Sequence, residues 1–399
     1  MPSPASGAAS ADHGDLKILG LGLAERTTLA AHRSGYARVF RLAHGDAALA
    51  DITNPADWTT LAVALRSENM VPLAIAPATI LGETDWLERL AEVQIEGAAW
   101  AAAPGRVIML AAAAVSEALT TLAADGGARD LLAAHERLTR RFGAPAALSA
   151  RVDPMVVTAP ADIRAAERRL LRSLVKGSDG FMARHVERPI SLAISRRLAA
   201  SAVTPNQMTL ISVVIGLAGA PFFLSPLGRW QTLGALLLLA HSILDGCDGE
   251  LARLRFQETR WGGLLDFWGD NVVHSAVFAC MSVGWSRTDG GMLPVLLGVS
   301  AVLGTLGSAS FVYWRLLRPK GDYGPLFTSV SRAPARPLAR LLDTLSRRDF
   351  FYLILAFALF GRADWFLLLT GLGAPIFFFL VLFLDMREQS TRLSTPSST

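Results

Sequence analysis

Two stretches of this 399-residue chain place carboxylates where an apolar run would otherwise continue. The first reads Asp245-Gly246-Cys247-Asp248-Gly249-Glu250-Leu251-Ala252-Arg253. Eight residues later, Gly262, Asp266 and Asp270 follow at intervals of four. On helices, Asp245 and Asp248 share one face, as do Asp266 and Asp270. An ionised carboxylate at membrane depth costs roughly 3 kcal/mol, and two such helices side by side would present four to one cavity. The single arginine within the motif, Arg253, cannot balance four carboxylates, which argues against a simple buried ion-pair network. Hard divalent cations can. Oxygen-only ligands suit Mg²⁺ or Mn²⁺, which also hold phosphate oxygens, and two ions could activate an attacking oxygen while stabilising a leaving phosphate. Gly246, Gly249 and Gly262 remove side chains where a nucleotide or a neighbouring helix must come close. Arg253, one turn beyond Gly249, is placed to pair with a diphosphate oxygen.

The elements that must position these residues are membrane helices. Hydrophobic residues make up 52% of the chain and charged residues 18%, below the roughly 25% charge of soluble domains. The hydrophobic segments are concentrated after residue 200, and spans are expected near residues 206–225, 229–250, 262–286, 292–314, 348–361 and 364–385. The fifth is the weakest, because only Phe350 to Gly361 is free of charge. Basic residues crowd the stretch before the first span and the loop from Arg315 to Arg348, whereas the opposite loops offer Arg229, Arg287 and Arg362. By the positive-inside rule both termini and the acidic site face the cytoplasm, across the inner membrane. The net charge of +4 then reflects cytoplasmic loops and gives no reason to invoke nucleic acid. Cys247 and Cys280 both lie in hydrophobic segments, so a structural disulfide is not expected.

Ahead of the spans, residues 1–14 read as a disordered lead-in without the apolar core of a signal peptide. Residues 15–160 read as an α/β domain, with strands at Leu16 to Leu21 and Val71 to Ile75 and helices at Trp86 to Val93 and Ala111 to Leu122. Residues 161–200 form a basic linker ending in an amphipathic helix, Phe181 to Ala200, suited to an anionic leaflet. The six-span domain then occupies residues 201–387, and residues 388–399 form a cytoplasmic tail. The expected fold is thus a polytopic α-helical membrane protein, a six-helix bundle with an N-terminal cytoplasmic α/β domain. Among other polar residues, Glu250 is expected to support the site from behind, His274 to be a core histidine, His241 to pack between helices, and Cys247 to fill space.

The acidic stretches match the signature D-x2-D-G-x2-A-R-x8-G-x3-D-x3-D at all eight fixed positions, and on these residues the chain resembles the CDP-alcohol phosphotransferase family. The resemblance runs over roughly residues 176–386 and includes Thr204-Pro205-Asn206 before the first span. It implies that Asp245, Asp248, Asp266 and Asp270 bind two Mg²⁺ or Mn²⁺ ions, and that Asp270 also serves as general base on the acceptor hydroxyl. It further implies that Gly249, Ala252, Arg253 and Gly262 line the nucleotide site. The implied partners are a CDP-alcohol donor, an alcohol or alcohol-phosphate acceptor and membrane lipids, with a homodimer left open. A polytopic aromatic prenyltransferase would instead need two separate Asp-rich sites, and an ion-coupled transporter would have no use for the Gly-x2-Ala-Arg spacing.

Three features resemble the subgroup of di-inositol-phosphate phosphate synthases. These are Gly249 to Arg253 with Gln257 to Gly262, the run Arg347-Arg348-Asp349-Phe350, and an N-terminal stretch similar to sugar nucleotidyltransferases. Arg315, Arg318, Lys320, Arg347 and Arg348 are candidates to grip an acceptor phosphate, since guanidinium groups bind phosphate bidentately. A phosphatidylglycerophosphate-type synthase would need no change to the core motif. In the N-terminal stretch, Ile18-Leu19-Gly20-Leu21-Gly22-Leu23 is a poor version of a phosphate-cradling loop, and a lone Gly-x-Gly is a weak signal. The domain therefore reads as degenerate.

Overall fold

The computed structural model describes residues 16–36, 39, 72–76, 79–92, 95, 98–103, 107–124, 131–147, 154–175, 180–317 and 350–394. The chain divides into two compact units, Met1–Leu170 and Leu171–Thr399.

In the first unit, β1 (Lys17–Ile18) and β2 (Leu21–Gly22) lead into α1 (Leu23–Arg33). The continuous strand expected over Leu16 to Leu21 is instead this hairpin. Leu19 and Gly20 take φ of 49° and 86°, and two successive positive φ values reverse the chain in a two-residue turn. Then come β3 (Leu73–Ile75), α2 (Thr84–Ala91), β4 (Trp100–Ala103), β5 (Val107–Leu110), α3 (Val115–Ala123), α4 (Leu131–Phe142) and β6 (Ala146–Ala147). The sheet order is β3-β5-β4-β6, with β4 and β6 parallel and the other pairs antiparallel. All four residues of β5 are buried, as an inner strand covered on both faces requires. Val115, Ala118, Leu119 and Leu122 form one stripe on α3 and close over Trp100, Ile108 and Leu110. α5 (Ile163–Ser173) follows.

The second unit begins with a π-helical turn, Ala183–Glu187, and α6 (Arg188–Leu198). It continues through α7 (Pro205–Gly219), α8 (Gly228–Arg255), α9 (Arg260–Asp289), α10 (Met292–Val312), α11 (Phe350–Leu359) and α12 (Ala363–Ser394). Thr204 and Gln207 close a reciprocal cap at the start of α7: the Thr204 hydroxyl accepts from the Gln207 amide at 3.3 Å and the Gln207 side chain accepts from the Thr204 amide at 3.0 Å. Among the described residues, three helical stretches are long and apolar enough to cross a bilayer: Pro205–Leu224, Met292–Arg315 and Ala363–Phe383. α8 and α9 have the length, at 28 and 30 residues, but carry the charges of the motif. α11 has only 10 residues, or about 15 Å, short of the ~30 Å hydrocarbon layer. The part of the fifth expected span before Phe350 lies outside the described residues.

The buried stripe on α8 runs Gly234, Leu238, His241, Asp245, Asp248, and that on α9 runs Gly269, Val273, Val277, Met281, Gly284. The aspartates of α8 thus continue a core-facing stripe at helical spacing. At its far end α7 and α8 touch backbone to backbone. A Cβ on Gly234 would lie 2.9 Å from the Gly219 carbonyl oxygen and 3.0 Å from the Phe223 ring. Gly234→Leu should therefore separate these helices. We expect a lower unfolding temperature in detergent, by an amount matching the ~1–3 kcal/mol typical of overpacking. An unchanged melting curve would mean that the helices do not approach this closely.

Candidate active site

The spacing of the motif becomes geometry through the turn between α8 and α9. Phe256 ends α8 in the left-handed region, at φ 56°, and the Gln257 amide bonds back to the Ala252 carbonyl at 2.8 Å. Thr259 starts α9, its hydroxyl accepting from the Gly262 amide at 3.0 Å. Asp248 lies eight residues before Phe256 and Asp266 seven after Thr259. At 1.5 Å per residue both stand roughly 11 Å from the turn, while Asp245 and Asp270 stand roughly 16 Å from it. The hairpin therefore sets Asp248 and Asp266 at one height above the turn and Asp245 and Asp270 about one helical turn further on.

Asp245, Asp248 and Asp266 come together, with one carboxylate oxygen from each lying within 4.8 Å of the others. Asp245 and Asp248 are buried. Oδ1 of Asp266 is buried and has no hydrogen-bond partner among the described residues. Three clustered carboxylates, one with an unused inward oxygen, fit a hard divalent cation. Asp248 is oriented from α7 by the hydroxyl of Thr209, which donates to its Oδ2. Thr209 was not singled out in the sequence, although a threonine one turn beyond Pro205 in an apolar helix was a usable signal.

Asp270 is not a member of that trio, though it is near enough to Asp266 to act on it electrostatically. Its Oδ1 lies 3.4 Å from Nε2 of His241. The other ring nitrogen, Nδ1, is 2.9 Å from the Ser212 carbonyl oxygen. His241 thus packs between helices as expected, bonded to the backbone of α7 and lying beside the fourth aspartate. His274 packs against Phe350 and Phe351, with ring centroids 5.4 and 5.6 Å away, as a core histidine does. Cys247 is fully buried.

A cleft opens beside the trio. Asp248, Gly249, Ala252, Arg253, Gly262 and Asp266 all line it, so the four residues expected to contact nucleotide share one surface with two of the aspartates. Pro205, Asn206, Thr209, Gly263 and the turn residues Gln257, Glu258 and Thr259 complete it. Two glycines keep it open. A Cβ on Gly249 would lie 3.3 Å from Nη1 of Arg253, and one on Gly262 would lie 2.8 Å from Oδ1 of Asn206. Nε of Arg253 is buried and has no hydrogen-bond partner among the described residues, so the guanidinium retains donor capacity next to the carboxylates.

Of the five basic candidates for an acceptor phosphate, Arg318, Lys320, Arg347 and Arg348 lie outside the described residues. Arg315 is engaged with α12, its Nε donating to both carboxylate oxygens of Asp385 at 2.9 and 3.1 Å.

Residues 202–333 match the family model for CDP-alcohol phosphatidyltransferases. Among curated relatives, a bifunctional IPC transferase and DIPP synthase of Archaeoglobus fulgidus is 41% identical over 137 residues, covering 34% of this chain and 26% of that protein. A protein of the same description from Thermococcus kodakarensis is 39% identical over 127 residues, covering 32% and 28%. An archaetidylinositol phosphate synthase of Pyrococcus horikoshii is 32% identical over 100 residues, covering 25% and 50%. The chain thus spans about a quarter of the length of the first two and half of the third. The aspartate hairpin lies inside the segment that matches the CDP-alcohol phosphatidyltransferase model, which takes in about a third of the chain.

Proposed function

We propose that the protein is a membrane-embedded, metal-dependent CDP-alcohol phosphotransferase with an inositol-phosphate substrate, acting at the cytoplasmic face of the inner membrane. The observation that carries this reading is the trio Asp245, Asp248 and Asp266, with oxygens within 4.8 Å of one another, beside a cleft lined by Arg253, Gly249 and Gly262. That combination suits a diphosphate and a divalent ion together.

In this reading Arg253 and the open backbone at Gly249 and Gly262 hold the CDP diphosphate. The acceptor hydroxyl oxygen bonds to the phosphorus that carries the donor alcohol, the bond from that phosphorus to the bridging oxygen breaks, and CMP leaves. Asp270, beside His241, takes the hydroxyl proton. Mg²⁺ or Mn²⁺ held by Asp245, Asp248 and Asp266, with Asp270 toward a second ion, would withdraw charge from the phosphate oxygens and stabilise the departing CMP. α8, α9 and α11 would complete six spans, with both termini cytoplasmic. A prenyltransferase would need a second acidic site, and the described residues hold one candidate metal cluster.

The N-terminal unit reads as a nucleotidyltransferase-like domain that has lost its chemistry. Its glycine-rich segment is spent on the β1–β2 hairpin rather than forming an open loop. Arg26, the basic residue that follows, is 1% exposed and donates to the Ile18 carbonyl at 2.9 Å. Burial pushes its pKa down to about 10. A guanidinium turned inward cannot hold a nucleotide phosphate.

Three expectations follow. Asp270→Asn should lower turnover by ~10²–10⁴-fold, the usual worth of a general base, while CDP-alcohol binding persists; Asp245→Asn should also weaken metal-dependent nucleotide binding. Near-normal CMP release from either variant would remove these assignments. With CDP-inositol and CDP-diacylglycerol as donors, inositol phosphate should be the preferred acceptor over glycerol phosphate and free inositol. Turnover confined to glycerol phosphate would move the chain to the phosphatidylglycerophosphate type and leave the reaction class intact. Finally, the full-length protein given CTP and an alcohol phosphate should release no pyrophosphate; release that depends on the alcohol phosphate would show an active N-terminal unit.

A further inference from the structure

Glu250 is fully buried, yet it does not face the cleft. It lies two residues past Asp248, about 200° around α8 at 100° per residue. There its carboxylate meets α6. Oε1 accepts from Nη1 of Arg188 at 2.8 Å and from the Ser191 hydroxyl at 2.7 Å, and Oε2 accepts from the Ser195 hydroxyl at 2.7 Å. Residues 188, 191 and 195 share one face of α6. One end of the contact is fixed by Ser242, which donates to Glu187 at 3.2 Å. At the other, Arg255 donates to the carbonyls of Leu198, Ala199, Ser201 and Val203, the last three at 3.0, 2.7 and 2.6 Å. Polar contacts thus hold α8 to α6 and its flanking residues at both ends and in the middle, from Ser242 to Arg255.

An apolar seam would hold two helices together at least as well. Burying a carboxylate costs several kcal/mol, returned only when every donor is in place, and replacing such networks by apolar residues is often neutral or stabilising. What a buried polar group adds is register. Sliding α6 by one turn, about 5.4 Å, would break up the three-donor set and leave the buried Glu250 carboxylate short of donors. The register so fixed is that of the helix carrying Asp245, Asp248 and Arg253. α9 carries Asp266 independently, so a rotation of α8 would pull the trio apart.

We infer that Glu250 is a positioning residue, and that the Arg188–Ser191–Ser195 face of α6 is part of the scaffold that holds the metal-binding aspartates of α8 against Asp266. α6 is then a fixed element of the active site as well as a membrane-surface helix. This inference rests on the proposed metal site but not on the identity of either substrate.

The test uses the full-length protein, with Mn²⁺ affinity read by electron paramagnetic resonance and folding read by thermal unfolding. Glu250→Gln keeps the volume and removes the charge. We expect a folded protein with a lowered unfolding temperature, because Arg188 loses a buried charge partner, and Mn²⁺ affinity weakened by about 10-fold, the lower end for partners that orient ligands. The apolar replacement Arg188→Met/Ser191→Ala/Ser195→Ala/Glu250→Leu should unfold at or above the wild-type temperature and still bind Mn²⁺ more weakly. Unchanged Mn²⁺ affinity in Glu250→Gln would overturn the inference, whatever happens to the quadruple variant. So would additive effects of Glu250→Gln and Ser195→Ala on Mn²⁺ affinity. Wild-type protein that binds no Mn²⁺ would instead refute the metal site proposed above.

Discussion

Three carboxylates with ligand atoms inside 4.8 Å of one another repel strongly in a helical core. At 4 Å and an effective dielectric constant near 20, each ionised pair costs about 4 kcal/mol. The surrounding structure can be understood as what makes such a cluster tolerable and useful. The turn at Phe256 to Thr259 sets α8 and α9 antiparallel, so that the aspartates meet across a hairpin instead of lining up along one helix. Thr209 gives Asp248 a hydrogen bond from a third helix. Arg253 supplies a nearby positive charge, and a divalent ion would supply the rest.

The same constraint explains why hydropathy marks some of the helices and misses others. α7 with the turn that follows it, α10 and α12 supply the stretches that qualify as membrane-crossing on composition. α8 and α9 do not, because the residues that would do the chemistry are the ones that lower their hydropathy. Their placement comes from packing instead. Leu238, Val273, Val277 and Met281 share one buried cluster with Phe351, Ile354 and Phe366 of the neighbouring helices. Charge inside these helices is tolerable because it lies on the stripe that faces this core.

The aspartate site was legible in the sequence because its information is local. Helical spacing within two short stretches, plus a gap of eight residues, is enough to specify a hairpin with facing carboxylates. What escaped depended on distant parts of the chain. His241 looked like helix packing because nothing nearby in sequence marks the Ser212 carbonyl or Asp270 as its neighbours. Ser191 and Ser195 sit in a helix whose arginines suggest a lipid surface, and only the fold brings Glu250, more than fifty residues later, between them. The Leu16 to Leu21 strand failed for another reason. Alternating apolar residues favour extended backbone, but propensity carries no sign of two successive positive φ values at Leu19 and Gly20.

Arg315 marks the limit of reading chemistry from charge. By sequence it is one of five cations near the site, and any of them could serve a phosphate. By structure its Nε already holds both oxygens of Asp385. Its side chain remains 47% exposed, and exposed ion pairs are worth about 0–1 kcal/mol. A phosphate carrying nearly two negative charges, approaching a guanidinium with further donors, competes well against one carboxylate at that strength. The pair therefore leaves Arg315 a candidate, with Asp385 as its resting partner. What separates a phosphate ligand from a lipid-facing cation here is the partner that the fold provides, and counting positive charges along the sequence does not reveal it.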